Sequence, residues 1–357
     1  MKKPVLILVV VFAAICVAVV GLALAFFFWP GGRSLPTRIY FGLGGRPGAE
    51  LRFQVQVQDA IEDEADRVIG GLAEELLKTG NAAIDRNEPS TAEQADSIQV
   101  NVNGVAPEAA GELRKLAEAK FPDWILTPVN PTGYRLNPRA GALAAWKRLA
   151  VEQTISITQS RISELGLMGR VQRGSGAFEI TVQLVGSPDD PERLNRFLST
   201  RASLRITAVT DGPFDSQDEA LARHGGVLPL STRLLKALPR GASGEGWYVV
   251  SLTPVLTGRD LRNARPGQDD MRRHFTSFSL SPEAGQRFGR FTEANIGNRL
   301  AVVLDDRIVS VAVVQSRIED SGEINGLSTE EEAMDLSRYL RSGSLPARLV
   351  ALPQKGV

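Results

Sequence analysis

The stretch FSLSPEAGQRFGRFTEANIGNRLAVVLDDRIVSVAVV, Phe278 to Val314, decides the fold class. Ser281 is a helix-capping residue type, whose hydroxyl accepts from first-turn N–H groups, and Pro282 suits the first helical position because its missing N–H would be unpaired there anyway. Phe288 and Phe291 fall on one side of the helix that follows, and Gly297 suits the left-handed residue that ends it. A strand precedes the helix. After it, NRLAVVL and RIVSVAVVQ predict a hairpin turning at Asp305-Asp306. Strand, capped helix and hairpin on short connections predict helices packed on one face of a sheet.

The same grammar runs outward in both directions. Upstream, Leu51, Phe53, Val55 and Val57 alternate as in a strand, and Ile61, Ala65, Ile69, Leu72 and Leu76 then follow helical spacing to Gly80. DSIQVNVNG predicts a strand, APEAAGELRKLAEAKF a helix, and GYRL a strand stub before a long helix that stops at Gly166. AFEITVQLVG is a strand, Ser187 is placed to cap a helix burying Leu194, Phe197 and Leu198, and Leu204 to Val209 form a further strand. Residues 211 to 246, rich in Gly, Ser, Pro and Asp with a helical STRLLKAL inside, mark a boundary. GWYVVSLTPVL predicts a strand and DLRNARPGQDDMRRH a polar loop. Downstream, a capping box from Ser328 to Glu331 opens a helix with Ala333, Leu336 and Leu340 inward, closed by Gly343, and SLPARLVAL ends as a strand.

At 357 residues the chain is long enough for two compact domains, and 41 basic residues balance 41 acidic ones, which argues against broad nucleic-acid binding. The lone Cys16 excludes an internal disulfide. Catalytic groupings are equally scarce. His224 and His274 are the only histidines, GASGEG places Glu245 where a nucleophile elbow needs glycine, and no phosphate loop is present. Gly42 and Gly44 begin a dinucleotide-like pattern, but Pro47 takes the third glycine's place and a strand follows instead of a helix. Asp305 and Asp306 read as turn formers. Binding is favoured over catalysis.

The run from Pro4 to Trp29 is uncharged and long enough to cross a bilayer. It reads as an uncleaved anchor, with Ala23-Leu24-Ala25 leaving a cleaved signal as the alternative. Lys2 and Lys3 on one side and Arg33, Arg38 and Arg46 on the other leave its orientation undecided by charge.

Three segments together resemble the SecD family of membrane proteins that assist Sec-dependent export. Gly42, Leu43, Arg46 and Gly48 occupy places of the family's glycine-rich motif, followed by AELRFQV, while Gly44, Gly45 and Pro47 depart from it. Arg161, Leu165 and Gly166 match a second motif, in which Ser163 replaces asparagine. Phe288, Asn295, Gly297, Gly326, Gly343 and Pro346 match the C-terminal region, where Ala312 stands in place of proline.

The resemblance implies an α+β fold with an N-terminal transmembrane helix, and a ferredoxin-like α/β sandwich base carrying an inserted α+β head subdomain. Its parts would be a cytoplasmic tip (1–3), a lipid-embedded helix (4–29), a linker (30–40), the first part of the base (41–211), the head (212–326) and the end of the base (327–357). The chain would be single-pass in the bacterial inner membrane, N-terminus cytoplasmic and bulk periplasmic. Hinges are expected at Gly241, Gly244, Gly246 and Gly326. The implied role is an accessory factor of Sec-dependent export, neither an enzyme nor cofactor-dependent. Its partners would be the Sec translocon, a polytopic SecD/SecF-like subunit and unfolded secretory polypeptides, with no nucleic acid. Family members continue into further membrane helices, without which this chain would not conduct protons alone. The alternative is an envelope scaffold that keeps the fold without binding polypeptide. No polypeptide-contacting residue is assigned by the motifs.

Overall fold

A computed structural model of the protein describes residues 48–76, 83–186, 188–229, 231–238 and 246–353. The expected anchor at 4–29 and its linker lie outside these residues; among the described residues no helix is long and apolar enough to cross a membrane. The first half of the chain contributes β1 (Gly48–Val55), α1 (Val57–Leu76), β2 (Ala83–Arg86), β3 (Val100–Asn103), α2 (Ala110–Lys120), β4 (Trp124–Asn130), β5 (Gly133–Pro138), α3 (Ala140–Glu164), β6 (Gly169–Arg173) and β7 (Glu179–Val185). Then come α4 (Pro191–Ser199), β8 (Leu204–Phe214), α5 (Gln217–Arg223), β9 (Thr232–Ala237), β10 (Gly246–Ser251), β11 (Leu256–Thr257), β12 (Leu261–Gln268) and β13 (His274–Leu280). The chain continues through α6 (Pro282–Ala294), β14 (Arg299–Leu304), β15 (Arg307–Val313), β16 (Ser321–Leu327), α7 (Glu330–Ser342) and β17 (Leu349–Ala351). The architecture is mixed α and β.

The first and last strands share an antiparallel sheet in the order β17-β1-β7-β6. Numbered along the chain, its strands lie 4-1-3-2. Ala49, Phe53 and Val55 alternate into a core shared with Val151 and Ile162 of α3 and Phe197 and Leu198 of α4; a slip of one residue would turn that set to solvent. The pairing Phe53 with Ala351 and Val55 with Leu349 puts the start of β1 and the finish of β17 at the same end of the sheet.

Between β1 and β6 the chain builds a second sheet, β2-β3-β5-β4. One face buries Val100, Val102, Trp124 and Leu136 against Ile61, Leu72 and Leu113 of the helices. The strand stub at GYRL extends to all of β5, and its hairpin partner β4 escapes a reading by pattern because Thr127, Pro128, Val129 and Asn130 are all exposed.

Between α4 and β17 lie two more sheets. The strands β10-β9-β15-β14-β8 close into a barrel through a β8–β10 pairing, with β11 added along β8. On its β9–β15 side the closure rests on one parallel rung, Ile308 with Ala237. STRLLKAL, expected as helix, is β9: Leu235 points into the barrel core while Leu234 packs outside with Phe214 and Ala220, so adjacent leucines serve opposite faces of a strand. The other sheet, β12-β13-β16, packs with α6 and α7 through Ala264, Phe278, Phe288, Ile324, Leu336 and Leu340. DLRNARPGQ, expected as loop, is β12. Its pattern is faint because Ala264 is the one fully buried side chain in the strand, and because Gly267 lies under the Phe275 ring, 2.4 Å from where a Cβ would stand.

Two caps shift by local geometry. Thr329, not Ser328, accepts from the Glu332 N–H, and Asp190, not Ser187, accepts from the Arg193 N–H with Pro191 in the first turn. Residues 211 and 212 both lie inside β8, and 326 and 327 inside β16. The chain passes from the layer of the β17-β1-β7-β6 sheet to the part inserted in it, β8 to α7, at residues 199–203 and returns at 343–347.

Candidate functional site

The two crossings meet around one side chain. Arg161, fully buried on the last turns of α3, donates from Nη1 to the carbonyls of Phe197 (3.1 Å), Leu198 (3.1 Å) and Thr200 (2.5 Å). From Nη2 it donates to Arg201 and to Gly343, both at 3.3 Å. The outgoing and returning chains are thereby held by one planar fork of donors. Three of these carbonyls end α4, where the helix dipole favours a cation. Burial pushes the guanidinium down to about 10, so it is charged at neutral pH. The Tyr339 ring lies 4.9 Å from it and stacks on Phe197 at 4.5 Å, and burial pushes the Tyr339 hydroxyl up.

Further bonds fasten the crossings to each other. Leu345 N–H donates to the Arg201 carbonyl (2.9 Å) and Ser344 Oγ to the Ala202 carbonyl (2.8 Å). Asp305, at the tip of the β14–β15 hairpin, accepts from the N–H groups of Ala202 (3.1 Å) and Ser203 (2.8 Å). Ala202 sits at φ 56°, a conformation that costs a non-glycine residue about 1 kcal/mol.

Two open grooves flank this junction. One, about 720 Å³, is lined by Gly70, Phe121, Leu204, Leu252, Pro254 and Pro346 with charged residues at its rim. The other, about 580 Å³, has a floor of Leu304, Val309, Leu327 and Leu336, and Arg193 spans it to reach Glu331 at 2.9 Å and Asp335 at 3.2 Å. Both have apolar floors and charged rims, suited to holding a chain by side-chain burial. Among the described residues, no group of three or more His, Cys, Asp or Glu is placed to hold a metal ion. His224 lies 3.4 Å from Asp211 beside the barrel, and His274 is in β13, so the histidines are not brought together.

Of the residues singled out by sequence, Arg161, Gly343 and Pro346 converge here; Pro346 offers its carbonyl to Arg201. Leu165 and Gly166 end α3, Gly166 at φ 69°. Phe288 is buried under α6, Asn295 caps its end with Nδ2 donating to the Phe291 carbonyl, and Gly297 follows at φ 88°. Leu165, Gly166, Phe288, Asn295 and Gly297 shape elements and line neither groove, whereas Pro346 lines the larger one. Gly48 opens β1, while Gly42, Leu43, Arg46, Gly241 and Gly244 lie outside the described residues. Gly246, expected at a hinge, is in β10 paired with Ala237, and Gly326, also expected there, is in β16 at the register shift between Ile324 and Leu327. Sequence reading missed Arg201 and Tyr339, whose partners are remote in the chain, and read Asp305 as a turn former without its bonds to Ala202 and Ser203.

The family model for the SecDF P1 head subdomain matches residues 233–347. A relative from Koribacter versatilis, protein translocase subunit SecD, is 33% identical over 327 residues, covering 91% of this chain and 60% of that protein. The SecD subunit of Aquifex aeolicus is 38% identical over 207 residues, covering 57% of this chain and 39% of that protein. A solved structure of SecDF, described as a membrane component that enhances protein export, is 30% identical, with a TM-score of 0.45 over 58% of this chain and 93% of that one. The chain thus spans 60% or less of these two curated relatives.

Proposed function

Because the chain belongs to the SecD family, we propose that it is an accessory factor of Sec-dependent protein export, working on the periplasmic side of the bacterial inner membrane. In this reading residues 4–29 anchor it with the N-terminus in the cytoplasm, and the 4-1-3-2 sheet is a ferredoxin-like base carrying the head. Its partners are the Sec translocon, a polytopic SecD/SecF-like subunit and the emerging unfolded polypeptide.

One observation carries the reading. The inserted part hangs from two adjacent crossings gathered by Arg161, with an apolar-floored groove on either side. Such grooves hold an extended chain through its side chains, and strand addition is disfavoured at two sheet edges. Gln159 satisfies the β6 edge by donating to the Gly169 carbonyl and accepting from the Val171 N–H. On β12, Pro266 has no N–H and Arg341 donates to the Ala264 carbonyl.

The test is photocrosslinking from Leu252 and Leu327 to a secretory chain stalled midway through the channel in membrane vesicles. Crosslinks that vanish when the chain clears the channel support the export factor. No crosslinks, with normal export after deletion of the protein, would replace it with the envelope scaffold.

A further inference from the structure

Four carboxylates, Asp59, Glu62, Asp63 and Asp66, recur on α1 at the spacing that puts them on one face. Each meets arginine, and the arginines come from separate places. Asp59 accepts from Arg348 Nη2 (2.8 Å) and Nε (2.9 Å), beside β17. Asp66 accepts from Arg86 of β2 (2.6 Å) and from Arg233 of β9 (3.3 Å), and Glu62 lies 3.5 Å from Arg86. Asp63 pairs with Arg201 on the outgoing crossing. Asp306 extends the ladder into the barrel, pairing with Arg205 of β8 and with Arg233 (2.9 Å). One helical face thus touches the base, the second sheet, the crossing and the barrel.

Apolar contact across the same boundary is slight. Among the described residues, Leu252 alone of the inserted part packs into the core beneath the second sheet. Its loop passes α1 at Gly70, where a Cβ would stand at an ordinary contact distance, 3.4 Å, from Thr253 Oγ1. A contact made of one leucine and several half-exposed ion pairs draws much of its strength from Coulomb attraction that salt screens.

We propose that the acidic face of α1 is an ionic latch holding the barrel docked against the second sheet's lobe, and that ionic strength sets the docked fraction. The pairs Asp66–Arg233 and Asp63–Arg201 are its working contacts; Asp306 holds Arg233 and Arg205 in position. This goes beyond the export reading and does not depend on polypeptide binding.

The experiment is a pulsed electron-spin distance measurement on the full chain, in a Cys16→Ser background with Lys115→Cys on α2 and Lys236→Cys on β9 spin-labelled; both lysines are exposed. From about 0.05 M to about 1 M salt the screening length falls several-fold, and a roughly fivefold rise in the displaced-to-docked ratio is expected. Asp63→Asn with Asp66→Asn should give the displaced distance already at low salt. Glu64→Gln, which breaks the pair with Arg67 on the same helix, should leave the docked distance intact. A distance indifferent to salt would overturn the latch, as would the docked distance persisting in the folded double variant. If that variant fails to fold by circular dichroism, the salt titration of the parent decides alone.

Discussion

At Arg161 the physics is of a charge solvated by main chain. Arg161→Met removes the donor to five carbonyls and should cost about 3 kcal/mol or more in chemical denaturation, whereas Arg161→Lys keeps the charge but loses the fork and should fall between. Equal stability of the methionine variant would refute the clamp. Asp305→Ala should cost about 2 kcal/mol by the same measurement, since two N–H groups lose their acceptor. Glu179 sets an acid limit. The hydrogen bond from Arg52 holds its carboxyl below the usual carboxylate range, so the unfolded chain takes up a proton before the folded one does. Its contribution is therefore full above the ordinary carboxylate pKa and is lost as pH falls through the lower folded value; Glu179→Gln should flatten the acid limb of a plot of Tm against pH. At this scale the sequence was legible only locally. Asp305 and Asp306 do turn the chain, at φ 49° and 63°, but nothing near Arg161 announces carbonyls 36 to 182 residues away.

The elements divide by how cleanly one face meets one core. The α6 helix was readable from Ser281 to Gly297 because cap, first-turn proline and buried stripe agree. Its glycines have a reason that spacing does not reveal. A Cβ on Gly285 would lie 2.0 Å from the Glu319 carbonyl, so the segment after β15 presses on bare helix backbone. Gly285→Ala should force that segment off, costing about 1–3 kcal/mol in thermal unfolding; an unchanged Tm would contradict the close approach. By contrast, β9 looked helical and β12 looked like loop, since one divides its leucines between two cores and the other buries little but Ala264.

For the whole molecule, the β1–β17 pairing joins strands from the two ends of the described chain in one sheet. The second sheet was not anticipated as separate from the first, because a strand–helix–strand–helix run reads the same whether it extends one sheet or starts another. If the crossings are a single junction, Arg161→Met should raise hydrogen exchange at residues 197–203 and 343–349 together while the barrel interior stays protected. Exposure of only one crossing would mean that they are independent. The sheet's open end has a mechanical consequence. With β1 beginning where β17 finishes, tension between those two ends loads the ladder one rung at a time, by unzipping instead of shear. β17 would peel away first, and the closed barrel, reached through the crossings, would bear none of the pull until the base had given way.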